Sequence, residues 1–381
     1  MAMVIGRYGG CVVCVVMLAR WCAALETDQF TTPPKPLVDL GAEFQQEVVR
    51  SLETAVGRVN EQYHEHMTKA ERTSFQFIRK SELEKAADRL TEAAIARAVF
   101  DVTVRGGTAQ CYMEAWVRYG EFERQPMKFD PWPRESVYGT IYRPILMVII
   151  SPTVNFNGIY FGSDKLGHLF EQGYEYYEVF TEEMKNSGDE AAAYRKVVKL
   201  GIDQENGFFG MAIDSVYSNG DMAANYAGLK FYLNLTRPIV IDGARREPML
   251  VLENNQWRLN PAAGGDFMRV YITEHLSEAM NPSKYGWPLR LGVRSNVKKM
   301  TPRWMAFFGS TPERERKRMA ELTRWYGQEY GHSGFEKVVA MVEPAEQATA
   351  AAKAERAKPN SDSAANNEPR DSGQESISVG G

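Results

Sequence analysis

The sequence predicts a mainly α-helical protein, a multi-helix globular bundle with one small β-hairpin. Three observations carry that expectation. Several long segments repeat apolar residues at the three-to-four spacing of an amphipathic helix. Only the stretch from Ile239 to Leu259 changes character, with short β-rich runs around a Gly-containing turn. Apolar residues make up 44% of the chain, ordinary globular composition that excludes disorder throughout.

The 381 residues can form one large domain or two smaller ones, each with a real core. Lys and Arg number 45 against 49 Asp and Glu, a formal charge of −4, so no basic surface points to nucleic acid. No apolar run approaches a membrane span, and the longest internal one is Ile145 to Ile150.

Taken in order, the N-terminus reads as an export signal over residues 1–24. Arg7 supplies the positive region, Tyr8 to Ala19 the uncharged apolar stretch, and Cys22-Ala23-Ala24 the small residues of a cleavage after Ala24. An exported, periplasmic or envelope-associated protein is expected. Removal of the signal takes three of the four cysteines and leaves Cys111 as a lone, core-type cysteine. Residues 25–36, ending in Thr31-Thr32-Pro33-Pro34-Lys35-Pro36, read as a stiff linker. The helical domain should occupy residues 37–342. Its first helix spans Leu37 to about Met67, with Leu40, Phe44, Val48, Leu52, Val56 and Val59 on one face. Ser81-Glu82-Leu83-Glu84 reads as a capping box opening a second helix to about Phe100. A third helix is expected over Ala109 to Tyr119, then a Pro- and aromatic-rich loop.

Three strongly helical stretches follow: Ser163 to about Lys185, Asp189 to about Glu205, and Gly220 to about Leu235. Ile239-Val240-Ile241 and Met249-Leu250-Val251-Leu252 suggest the two strands of the hairpin. Helices are expected again at Asp266 to Met280 and Pro312 to Tyr330. From Glu343 to the end, seven acids, four bases and few apolar residues predict a disordered tail.

The chemistry concentrates on two of these helices. Ser163 or Asp164 can cap the first, and Asp164 and His168 stand at i and i+4, on one face. A carboxylate and an imidazole so placed can ligate a metal or orient a histidine for acid–base work. On the second, Asp221 and Asn225 repeat the spacing, and Ala224 and Gly228 make a flat surface for close helix approach. Gly167 offers the first helix a matching notch, and Glu205 can add a third carboxylate. His64-Glu65-His66 points its imidazoles about 200° apart on a helix and reads as surface. His275 and Glu278, at i and i+3, read as a surface pair that could reach the main site from across the fold; His332 reads as a solvated turn residue. The chain lacks a G-x-S-x-G elbow, a P-loop, a G-x-G-x-x-G loop and an H-E-x-x-H pair.

The ordered pattern Asp164-Lys165-x-x-His168, Glu205, and Ser218-x-x-Asp221-x-x-Ala224-Asn225-x-x-Gly228 resembles the signature of VanZ-like and YfiM-like envelope proteins. The match spans about 65 residues, less than a fifth of the chain. VanZ-like proteins carry these motifs on membrane helices and are associated with glycopeptide resistance, whereas this chain has no spanning segment. The resemblance implies a shared polar core on packed helices and a lipid or cell-wall setting, with an envelope lipid, the cell wall or a membrane protein as partner. It supplies no substrate. Two functions are then expected as alternatives. In the first, a non-catalytic envelope protein uses these residues as a buried network that fixes helix register. In the second, a metal-assisted or acid–base hydrolase acts on a phosphate- or lipid-linked substrate, with Asp164, His168, Glu205 and Asp221 as the catalytic set. Lys165 and Asn225 would contact the substrate, and a divalent metal would be held between the helices.

Overall fold

Leu40, Phe44, Val48, Leu52 and Val59 are all buried in the computed structural model, and they define the inner side of helix α1, Gly41–Arg72. The structure describes residues 26–105, 111–120, 122, 125–132, 134–139, 150–207, 210–211, 215–287, 289–324 and 330–333. The expected signal, the 343–381 tail and nearly all of the Ile145–Ile150 run lie outside these residues.

The fold is mainly α, with short antiparallel strand pairs. Helix α1 turns at Thr73–Phe75 into α2, Gln76–Arg89, and a second turn leads to α3, Glu92–Thr103. The expected single helix to Phe100 is therefore two. Ser81 lies inside α2, and Thr91 is the cap, its Oγ1 accepting from Ala94 N at 3.2 Å. The break lets α3 fold back across α1 and bury Ile95, Ala96 and Val99, which a continued helix would carry away from the core. Helix α4, Tyr112–Tyr119, follows, and Cys111 beside it is buried as expected of a core cysteine.

Strands β1 (Lys128–Phe129), β2 (Thr153–Phe156) and β3 (Ile159–Gly162) form an antiparallel sheet in that order. The β2–β3 turn is Asn157-Gly158 with φ of 54° and 82°, the left-handed pair that a two-residue hairpin requires. This hairpin is not among the sequence expectations. Helix α5 starts immediately after it: α-helical at Asp164–Gly167, π-helical at His168–Gln172 and α-helical again at Gly173–Ser187. Helix α6 is Glu190–Asn206, capped by Asp189. After β4 (Val216–Tyr217) comes α7, Asn219–Asn234, of which every residue but Lys230 is buried. A helix buried all round is the centre of the molecule. Phe170 and Tyr174 of α5 meet Phe231 and Tyr232 of α7, with ring centroids 5.3 and 5.1 Å apart, at the heart of the core.

The β region holds two hairpins rather than one: β5 (Ile239–Ile241) with β6 (Ala244–Arg246), and β7 (Leu250–Glu253) with β8 (Gln256–Leu259). Tight turns at Asp242-Gly243 and Asn254-Asn255, all at positive φ, close each strand on its nearest neighbour. The expected helix over Asp266–Met280 is also absent. Two 3₁₀ turns, Phe267–Val270 and Glu274–Leu276, stand there, separated by extended backbone at Thr273. The irregular path buries Met268, Tyr271, Ile272, His275, Leu276, Glu278 and Met280 together, which no single helix face can do. Strand β9 (Lys284–Tyr285) pairs with β4, and α8 (Leu289–Phe307) and α9 (Pro312–Arg324) complete the described helices.

Residues 26–33, expected in a linker, are built into the fold. The Asp28 carboxylate accepts from the N–H groups of Phe30, Thr31 and Val137, and the Trp304 indole donates to Gln29 O at 3.1 Å. Only Pro34-Lys35-Pro36 is exposed. Among the described residues, no helix is long and apolar enough to cross a membrane.

Candidate functional site

The chain enters the site through Gly162. A Cβ there would lie 2.1 Å from Thr27 Cγ2 and 2.5 Å from Asp164 Oδ1, so only glycine fits between β3 and the helix start. Neither Ser163 nor Asp164 caps α5, contrary to expectation. The Asp164 N–H donates to Ser151 Oγ at 3.0 Å, and that hydroxyl also meets Ser163 Oγ at 3.0 Å. Ser151, two residues ahead of β2, thus serves the buried helix end, and the Asp164 carboxylate is released for other work.

That carboxylate turns to the next residue. Lys165 Nζ donates to Asp164 Oδ2 at 2.8 Å and forms an ion pair with Asp221 Oδ1 of α7. Lys165 is 1% exposed, and its stem passes over Gly220, where a Cβ would approach Cε to 3.0 Å. Asp221 reaches His168 with its other oxygen, Oδ2 to Nε2 at 3.2 Å. The opposite ring nitrogen of His168, Nδ1, meets Asn225 Oδ1 at 3.0 Å. One line of contacts therefore runs Asp164, Lys165, Asp221, His168, Asn225, and joins the starts of α5 and α7.

Close packing of these helices makes the line possible, although not through the expected notch. Gly173 faces Gly228: a Cβ on Gly173 would lie 2.5 Å from Gly228 Cα, and one on Gly228 would lie 2.0 Å from Leu169 O. Gly167 points instead to α4, where a Cβ would sit 3.1 Å from Glu114 Oε2. The π turn at His168–Gln172 adds one residue to the helix, so Gly173 meets α7 while His168 still faces Asp221.

Glu205 lies beside the line rather than in it. Its Oε2 accepts from Ser218 N at 2.9 Å, while the Ser218 hydroxyl accepts from Asp221 N at 3.1 Å, so Glu205 fixes the residue that caps α7. Glu278 approaches from the far side of the chain. It accepts from the hydroxyls of Thr27 and Tyr285, both at 2.9 Å, and adds its field at Lys165. The expected surface pair of His275 and Glu278 is instead fully buried, because the 3₁₀ path turns both side chains inward. His332 is likewise not a free solvated group, since its Nε2 meets Asn281 Oδ1 at 2.9 Å.

The electrostatics follow from this burial. Desolvation alone would lower the Lys165 pKa, but the Asp164, Asp221 and Glu278 carboxylates outweigh it and hold the ammonium well above its ordinary value. Burial would raise Asp221, yet His168 and Lys165 bring it below the usual carboxylate range. Glu205 moves the other way, pushed up by burial and by the Asp221 charge. Burial raises Glu278 as well, against the pull of Lys165. Glu114, next to Gly167 and paired with Arg118 at 3.1 Å, is raised to about 7 by burial and by Asp164.

Among the described residues, Asp164, His168 and Asp221 each present one ligand atom within 4.8 Å of the others, the spacing of a possible cation site. Asp164 Oδ1 is buried without a hydrogen-bond partner. Against this, the Lys165 ammonium already bridges the two carboxylates, and both nitrogens of His168 are engaged. A general base needs one ring nitrogen facing the substrate. The structure brings together five of the six expected site residues and sets Glu205 behind them, joined to Asp221 by two hydrogen bonds through Ser218. Ser151, Glu278 and Glu114 are absent from that sequence-based set. Spacing cannot signal Ser151 or Glu114, which meet the start of α5 from other segments, and it marks Glu278 only as the i+3 partner of His275; the Asn157-Gly158 turn does mark the hairpin that delivers Asp164. No family model matches this chain, and neither a curated protein nor a solved structure matches it.

Proposed function

We propose that the protein is a non-catalytic component of the cell envelope, exported by its N-terminal segment, in which the Asp164–Lys165–Asp221–His168–Asn225 line fixes the register of two central helices and so the shape of a binding module. The resemblance to VanZ-like and YfiM-like proteins and the signal-like order of residues 1–24 support the setting. One observation carries the role: the two groups that would do chemistry are both engaged within the line, with the Lys165 ammonium between two carboxylates and His168 held at both nitrogens. A double-mutant cycle tests it. His168→Ala leaves Asp221 Oδ2 and Asn225 Oδ1 buried without their imidazole partner and should cost about 1–3 kcal/mol, against about 0.3–0.5 for a solvated i,i+4 pair. Asp221→Asn, which also weakens the Lys165 pair, should cost less in the His168→Ala background than in the parent, by a coupling of about 0.5 kcal/mol or more. Additive, near-zero effects would remove the role. Export is tested separately by mass spectrometry of the native envelope fraction, where a chain starting at residue 25 is expected and an intact Met1 on cytosolic protein refutes it.

A second reading rests on the 4.8 Å grouping of Asp164, His168 and Asp221 together with the unpartnered Asp164 Oδ1. There, a divalent cation bound by these three would support hydrolysis of a phosphate- or lipid-linked substrate, with Lys165 holding the anionic group. Calorimetric titration with zinc and manganese separates the readings. Stoichiometric binding that Asp164→Asn abolishes would favour the second, and silence would leave the first.

A further inference from the structure

The α1–α2 hairpin carries a second feature, far from the polar line and independent of the reading above. Its hydrophobic-core contacts end at Val59, and α1 then continues to Arg72, about 20 Å further along the axis at 1.5 Å per residue. Just beyond Val59, Asn60 and His64 still hold Trp257 and Gln256 of β8, and further out the two helices meet each other through Ala70 and Ala86, buried between them, and through His66 Nδ1 to Glu82 Oε2 at 2.7 Å. At the tip, every residue from Ser74 to Lys80 is exposed, including Phe75 at 69%, Phe77 at 84% and Ile78 at 47%. Natural soluble surfaces seldom present three large apolar side chains so close together without a use.

Charge says which use. Between residues 69 and 80 the chain places Lys69, Arg72, Arg79 and Lys80 against the single acid Glu71, on a protein whose overall charge is −4. Lys69 and Lys80 make only exposed, long pairs with Glu65 and Glu84, at 3.7 and 3.9 Å. The apolar area of the tip is roughly 400 Å², judged from the size of such side chains, whereas a stable protein partner needs about 800 Å² on each side. A lipid surface needs no such area or matching shape. It accepts aromatic side chains at headgroup depth and draws cations beside them. We infer that the Phe75/Phe77/Ile78 tip, ringed by Lys69, Arg72, Arg79 and Lys80, docks the protein on an anionic lipid bilayer.

Flotation of the full chain with vesicles tests this, using equimolar phosphatidylglycerol and phosphatidylcholine in one arm and phosphatidylcholine alone in the other. The anionic vesicles should carry the protein at least tenfold better, and amides 73–80 should gain protection from hydrogen exchange. Phe75→Ser/Phe77→Ser and Arg79→Glu/Lys80→Glu should each weaken flotation about tenfold or more with a melting temperature within a few degrees of the parent, because all four side chains are exposed and Lys80 makes only a long, solvated pair. Equal flotation of both variants, equal binding to the two vesicle types, or vesicle binding that leaves amides 73–80 unprotected would overturn the inference. So would lipid-free self-association abolished by the phenylalanine changes, which would make a second copy the occupant.

Discussion

Replacing Lys165 by Met is the most direct perturbation of the central line. Met keeps most of the buried aliphatic volume over Gly220 and removes only the charge. Asp164 and Asp221, 3% and 6% exposed, then face each other with no cation between them. Removing one partner of a buried ion pair costs about 3–5 kcal/mol, because the remaining charge keeps its desolvation penalty and loses its attraction. An exposed pair would cost about 0.2–1 kcal/mol. Urea denaturation at neutral pH, followed by far-ultraviolet circular dichroism, resolves that difference provided the slope with denaturant is unchanged. Adding Asp221→Asn should restore about 1–3 kcal/mol of the loss. The deficit should also shrink as pH falls, since a stranded carboxylate takes up a proton more readily in the fold than in the unfolded chain. A Lys165→Met protein within 1 kcal/mol of the parent, or one that Asp221→Asn does not rescue, would refute the picture of an internally neutralised line.

Other outcomes follow from neighbouring geometry. Gly228→Ala must push Leu169 O and Gly173 apart from α7, both of them backbone, and should cost about 1–3 kcal/mol or more by thermal melting; an unaffected protein would mean that α5 and α7 do not cross there. Glu114 binds a proton more tightly in the fold, with a pKa of about 7 against 4.5, so stability should fall as pH rises through that window, by on the order of 3 kcal/mol. Glu114→Gln should flatten that slope, and an unchanged slope would contradict the assignment. Ser151→Ala leaves the Asp164 N–H buried without its acceptor and should cost about 1–3 kcal/mol, measured by denaturant titration; a loss under 0.5 would show that the helix end is served otherwise.

The sequence by itself determined the helical class, the positions of α1, α5, α6 and α7, and the placing of Asp164 with His168, and of Asp221 with Asn225, one turn apart at the start of two helices. These are local matters: apolar periodicity and i,i+4 spacing are properties of a few consecutive turns. Local signals also existed for features the expectations lack, such as the Asn157-Gly158 hairpin and the Thr91 cap. Tertiary structure alone decided the rest. Only the crossing of Gly173 on Gly228 brings Lys165 between Asp164 and Asp221, and the π turn that lines up this crossing leaves no periodic trace. Glu278 reaches the site region from a segment whose helical pattern gives way to 3₁₀ turns, because burying six neighbours on several sides outweighs the propensity of any one helix. Charge state is decided at the same level: Lys165 stays an ammonium, and Glu205 resists ionising, because of which groups the fold places against them and how much water it removes.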